Sequence, residues 1–153
     1  MPCNKCKTNP NYHSFVRITN IDDTDVFYSS ISKCQDSNED GTKFKNIKIH
    51  VDEETARPWI WVIDFANMEM KHYTDPSFNN GMFEMISNNN NIKEIWFFRS
   101  NIWIRTTISL FKKISNNKIL NNIYFFDETG LELLDKLQKK SLNIKSIQWL
   151  MSQ

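Results

Sequence analysis

Short runs that are apolar at nearly every position alternate with longer stretches in which apolar residues recur every three or four positions. The clearest run is Pro58–Phe65 (PWIWVIDF), β-branched and aromatic and interrupted only by Asp64. Such a run reads as a central strand buried on both faces. Ile92–Phe98 (IKEIWFF) and Ile119–Phe126 (ILNNIYFF) read as two more buried strands. Helical patterns lie between them. Asp75-Pro76 puts a capping carboxylate and a first-turn proline ahead of Phe78, Met82, Met85 and Ile86, and that pattern stops at the asparagines 88–91. Residues 101–115 form an amphipathic helix. Asp127 is expected to cap a last helix with Leu131, Leu134 and Leu137 at helical spacing, closing on Lys139-Lys140, which suit its negative end.

Upstream, Ser14–Thr19 and Asp25–Ile31 are short strand candidates, and 33–43 is a polar loop. Lys43–Glu54 is open to two readings: Ile47, Ile49 and Val51 alternate like a strand, while Phe44, Ile47 and Val51 fit one helix face. Helix is preferred, because a parallel strand after it needs a crossover of a dozen or more residues. The order of elements predicts an α/β fold, a mostly parallel sheet of about five strands covered by helices. Residues 1–13 read as a polar arm and 14–153 as a single domain.

Composition narrows the function classes. Nineteen Lys+Arg against eighteen Asp+Glu leave a net charge of +1, unlike a dedicated nucleic-acid binder. Three glycines leave little room for a Gly-rich phosphate loop. The start of the chain has no apolar core, and the longest apolar run, Trp59–Ile63, falls far short of the ~20 residues of a membrane span, so a cytoplasmic location is expected. Lys outnumbers Arg fifteen to four, and Asn and Ile are abundant, which reads as the codon bias of an AT-rich genome such as that of a large DNA virus or a protist; the location would then be host cytoplasm. No catalytic signature such as G-x-S-x-G is present, so a binding module is expected rather than an enzyme.

The stretch Trp61-Val62-Ile63-Asp64-Phe65-Ala66-Asn67-Met68-Glu69-Met70-Lys71-His72 resembles the strand-and-turn motif of CRAL-TRIO lipid-transfer-like domains, an apolar strand ending in Asp-Leu-x-Gly-hydrophobic. Glu94–Asn101 sits where that family has a hydrophobic strand ending in Asn-Ala-Pro, and Ile102–Ile114 resembles the gate-like helix that follows, with Lys112 on the family's lysine. Asn67 stands where the family has its turn glycine, and Ser100-Asn101 where it has Ala-Pro. The resemblance covers roughly residues 58–140 and implies a lipid or other hydrophobic ligand. The alternative is a protein-interaction or scaffold domain that kept the fold and lost the pocket. A cavity of ~300 Å³ or more, lined by Ile, Phe and Trp, separates the two.

Two constellations carry candidate chemistry. Arg105, Ser109 and Lys112 lie at i, i+4 and i+7 on one helix face, suited to a lipid phosphate or an anionic membrane surface, or simply to solvent. Trp103 on the same helix and Asp64 at a strand end complete the candidate ligand-binding set, although a tryptophan is packing material first and an Asp there can hydrogen-bond its own turn. Lys71 and His72 follow Asp64 closely enough to raise an Asp–His pair for acid/base work. In the arm, Cys3-x2-Cys6, His13 and Cys34 form a candidate structural zinc set, with two exposed thiols as the alternative. If the first two strands pair as a hairpin, His13 comes near Cys34.

Overall fold

The computed structural model describes residues 8–9, 12–36 and 43–153. Five strands make one sheet in chain order: β1 (Val16–Ile21), β2 (Thr24–Ser30), β3 (Trp59–Asp64), β4 (Ile92–Phe98) and β5 (Ile123–Phe126). β1 runs antiparallel to β2, and β2 to β5 are parallel, so the sheet is mostly parallel as its apolar runs predict. β3 is the middle strand, and all six of its residues are buried. The β1–β2 hairpin turns on Asp22 and Asp23, both at positive φ (46° and 64°), the pair of left-handed residues that a two-residue turn of matching twist requires. Asn20 braces it: its Oδ1 accepts the Asp23 N–H at 3.1 Å and its Nδ2 donates to Asp25 Oδ1 at 2.9 Å.

Seven helices surround the sheet among the described residues: α1 (Ile31–Asp36), α2 (Lys43–Glu54), α3 (Met70–Tyr73), α4 (Pro76–Asn88), α5 (Ile102–Ile114), α6 (Gly130–Lys139) and α7 (Ile144–Met151). Parallel strands laid down in chain order, with crossovers of one hand, send every connecting helix to the same face. Ile47 and Val51 of α2 and Phe78, Met82 and Met85 of α4 accordingly pack on Phe27, Trp59, Trp61, Ile63, Ile95 and Phe97. The opposite face, built by Val26, Tyr28, Ile60, Val62, Trp96, Phe98 and Phe126, is covered by the end of the chain through Leu137, Leu142, Ile147 and Leu150. The period of two along β3 divides its residues between these cores.

Several local expectations are corrected. The region 33–43 is not loop throughout, because α1 reaches Asp36. The last strand starts at Ile123 instead of Ile119: Asn117 accepts the Ile119 N–H on its Oδ1 and turns residues Lys118–Asn122 into a 3₁₀ helix. Asp127 does not cap α6, whose N-cap is Thr129. Its carboxylate instead accepts from Ser100 N–H (2.7 Å), Ser100 Oγ (2.6 Å) and Arg105 Nε (3.0 Å). Lys140 leaves the end of its helix to pair with Glu94 at 2.9 Å across the Tyr124 ring. No helix among the described residues is long and apolar enough to cross a membrane.

Candidate ligand-binding site

The carboxyl ends of β3 and β4 set up the site. After β3, Asp64 Oδ1 accepts the Ala66 N–H at 2.9 Å, and Asn67 takes the left-handed turn at φ 60°. This is the position where the family motif has glycine, and Asn tolerates it better than most residues. The chain then enters α3, where the Glu69 N–H donates to His72 Nδ1 at 2.7 Å. Asp75 caps α4 by accepting the Phe78 N–H at 3.0 Å, with Pro76 in the first turn. After β4, Asn101 caps α5 by accepting the Ile104 N–H at 3.1 Å. Asn101 also donates from Nδ2 to the Tyr73 hydroxyl at 2.6 Å, which ties the start of α5 to α3.

Between these helices, above the sheet, lies a cavity of about 910 Å³. Ile63 and Phe97 of the sheet and Ile31 form its floor, Phe78, Met82, Phe83 and Ile86 one wall, and Ile104, Ile108 and Phe111 the other. Phe83 stacks on Phe111 with centroids 4.2 Å apart, a direct contact between α4 and α5. Met70, Asn79 and Trp103 line the cavity and are exposed, so it opens to solvent on their side. α5 has the sequence of a helix that buries an apolar face, yet none of its residues is buried. The reason is that its inward face overlooks the cavity and not a packed core. The location agrees with the rule that open α/β sheets bind ligands outside the carboxyl ends of their strands.

The candidate residues separate. Trp103 lies on the rim of the cavity and is 73% exposed, so it is not core packing as its residue type implied. Arg105, Ser109 and Lys112 do not line the cavity. The Arg105 guanidinium pairs with Asp127 at 2.5 Å and covers the Phe125 ring at 4.6 Å. Ser109 Oγ donates back to the Arg105 carbonyl at 2.9 Å, and Lys112 is exposed. Asp64 belongs to the opposite face of the sheet. It is fully buried, accepts the Tyr28 hydroxyl at 2.6 Å and is gripped by both Nε and Nη2 of Arg99. Burial and this hydrogen bond to Asp64 push the Tyr28 hydroxyl well above its ordinary range. With Asp64 committed to Tyr28 and Arg99, and His72 Nδ1 to Glu69, the two do not act as a pair.

Residue-by-residue reading missed the lining residues Met68, Met70, Tyr73 and Phe83. A signal was present: four of the six methionines fall between Met68 and Met85, and three of these line the cavity. Methionine is over-used where a surface must adapt to its ligand.

Cys3 and Cys6 of the candidate zinc set lie outside the described residues. The hairpin does bring the other two members together: Cys34 Sγ donates to the His13 carbonyl at 3.0 Å, both residues are buried, and the His13 ring meets His50 edge-on at 5.9 Å. Burial pushes the Cys34 thiol up to about 12. Among the described residues, no group of three or more His, Cys, Asp or Glu side chains gathers to hold a metal.

No curated protein matches this chain in sequence. The model of the divergent CRAL/TRIO domain family matches residues 15–147, from the approach to β1 into α7, and so takes in the sheet, the cavity and both faces of helices. The chain belongs to the divergent CRAL/TRIO domain family.

Proposed function

We propose that this domain is a non-enzymatic module that holds a lipid or other hydrophobic molecule between α4 and α5. The observation that carries this reading is the cavity of about 910 Å³ under α5, lined mainly by Ile, Phe and Met. A volume in the ~300–1,000 Å³ range suits one drug-sized ligand. Family membership supports it, because CRAL/TRIO domains generally bind lipophilic small molecules. A scaffold that had lost its pocket would carry a filled core at this position, and the cavity argues against that alternative.

The exposed edge of α5 at the cavity mouth supports a peripheral contact with membrane. Trp103, Leu110 and Ile114 recur at i, i+7 and i+11 and are all exposed, with Lys113 flanking the stripe. Aromatic and aliphatic groups beside lysines suit an interface with anionic lipid, from which a hydrophobic ligand would be drawn. The direct test is titration with an uncharged pyrene-bearing alkane, read by its fluorescence. Saturation at one probe per chain is expected, weakened at least about tenfold in Ile108→Trp, whose indole occupies the cavity. Equal binding by both proteins would place the probe elsewhere and contradict the reading.

A further inference from the structure

No charged side chain lines the cavity among the described residues. Of the charges on the surrounding elements, several are committed elsewhere, and Glu84, Lys112 and Lys113 are exposed and do not line it. Asp75 caps α4, Lys71 reaches Glu69 at 3.7 Å, Arg105 is held by Asp127, and Asp64 by Arg99. The buried part of the lining, Ile31, Ile63, Phe78, Met82 and Phe97, is entirely apolar. Polar groups enter only where the lining is half-buried or exposed, as Tyr73, Asn79, Asn80, Asn101 and Thr107. Every one of them is uncharged in its ordinary state. The Tyr73 hydroxyl accepts from Asn101 Nδ2, and its own proton remains to be donated. Asn79 donates from Nδ2 to the Tyr73 carbonyl at 3.1 Å, and its Oδ1 remains an acceptor.

From this distribution we infer that the cavity selects uncharged amphiphiles, a hydrocarbon body with a single hydroxyl or carbonyl-type head at the rim, over lipids with anionic heads. The inference rests on the cavity reading above and specifies its ligand class. A hydroxyl can trade its water for the donor and acceptor at Tyr73 and Asn79. A carboxylate or phosphate there would give up hydration with no cation and no charge-assisted pair to replace it.

The test compares 1-dodecanol with dodecanoate at about pH 8, both below their aggregation limits, by displacement of the pyrene-bearing alkane. The two compounds share a chain and differ in the head. Dodecanol is expected to bind at least about tenfold more tightly, the scale set by an uncompensated charge at a half-buried rim. Thr107→Lys, which brings a cation to the rim, is expected to narrow or reverse that ratio by strengthening dodecanoate. Tyr73→Phe, which keeps the ring, is expected to weaken dodecanol several-fold more than it weakens the alkane probe. Equal affinities, or tighter dodecanoate, in the unaltered protein would overturn the head-group inference and leave the cavity reading standing. Unchanged dodecanol binding in Tyr73→Phe would overturn the assignment of the head to that rim. Binding of neither compound, together with no saturable binding of the alkane, would overturn both.

Discussion

Asp64 ends the central strand fully buried, and its carboxylate meets the Tyr28 hydroxyl, the Ala66 N–H and the forked guanidinium of Arg99. Arg99 reaches it from a left-handed backbone conformation, φ 51°, unusual for a residue with a side chain. A buried carboxylate deprived of its cation is costly, and Arg99 is only partly exposed at 41%. Arg99→Ala is therefore expected to lower stability by about 2–3 kcal/mol in urea denaturation, below the range for a fully buried pair. Lysine should recover only part of the loss, because it cannot fork. A loss below about 0.5 kcal/mol would show that Tyr28 and the turn suffice. At Asn67, also left-handed, Asn67→Val is expected to cost about 1–2 kcal/mol while Asn67→Gly is tolerated. Cys34 offers a pH test. Its thiol is raised from 9.0 to about 12 in the folded protein, so the unfolded chain releases that proton first. The stability this confers is fully present below pH 9.0 and is lost as pH rises toward about 12. Wild type is expected to lose more stability than Cys34→Ala between pH 8 and 10.5, and Cys34 to resist alkylation until the protein unfolds. Parallel pH profiles for the two proteins would contradict this.

Among the elements, the middle strand β3 is legible in the residues because burial on both faces leaves no polar position except Asp64. The starts of α4 and α5 are legible because Asp75 and Asn101 are capping types and do cap. The element order fits the mostly parallel sheet. What escapes is whatever a partner outside the apolar run decides. Ile119-Leu120 reads as strand until Asn117 caps a 3₁₀ helix there. Asp127 reads as a cap until Ser100 and Arg105, 27 and 22 residues away, claim its oxygens. Arg105, Ser109 and Lys112 do not line the cavity, which begins with Trp103 on the rim of the same helix. α3 and α7 carry too few periodic positions to announce themselves, at four and eight residues. α5 itself has no buried residue, so its opening should be local. Hydrogen-exchange mass spectrometry is expected to find its amides exchanging well before those of β3 and β4, and slowing when a ligand fills the cavity. Protection of α5 equal to that of β4 in ligand-free protein would contradict the idea that it spans empty volume.

At the scale of the molecule, the sheet divides two tasks. The face toward α6 and α7 is closed by Leu137, Leu142, Ile147 and Leu150 and carries the Asp64–Arg99–Tyr28 network. The face toward the crossover helices is packed under α2 and part of α4 and hollow under α5. The fold class can be read from the alternation of elements, but a hollow cannot. It depends on how far α4 and α5 diverge, and the same Ile, Phe and Met residues would serve a filled core. Occupancy of that hollow is the central claim. The most direct measurement is native mass spectrometry of the protein purified from cells without detergent, before and after organic extraction, beside Ile108→Trp. A ligand mass bound at up to one per chain, removed by extraction, recovered as a hydrophobic molecule and absent from the variant is the result this account predicts. A bare polypeptide mass for the unaltered protein that stays bare after incubation with a lipid extract would contradict it.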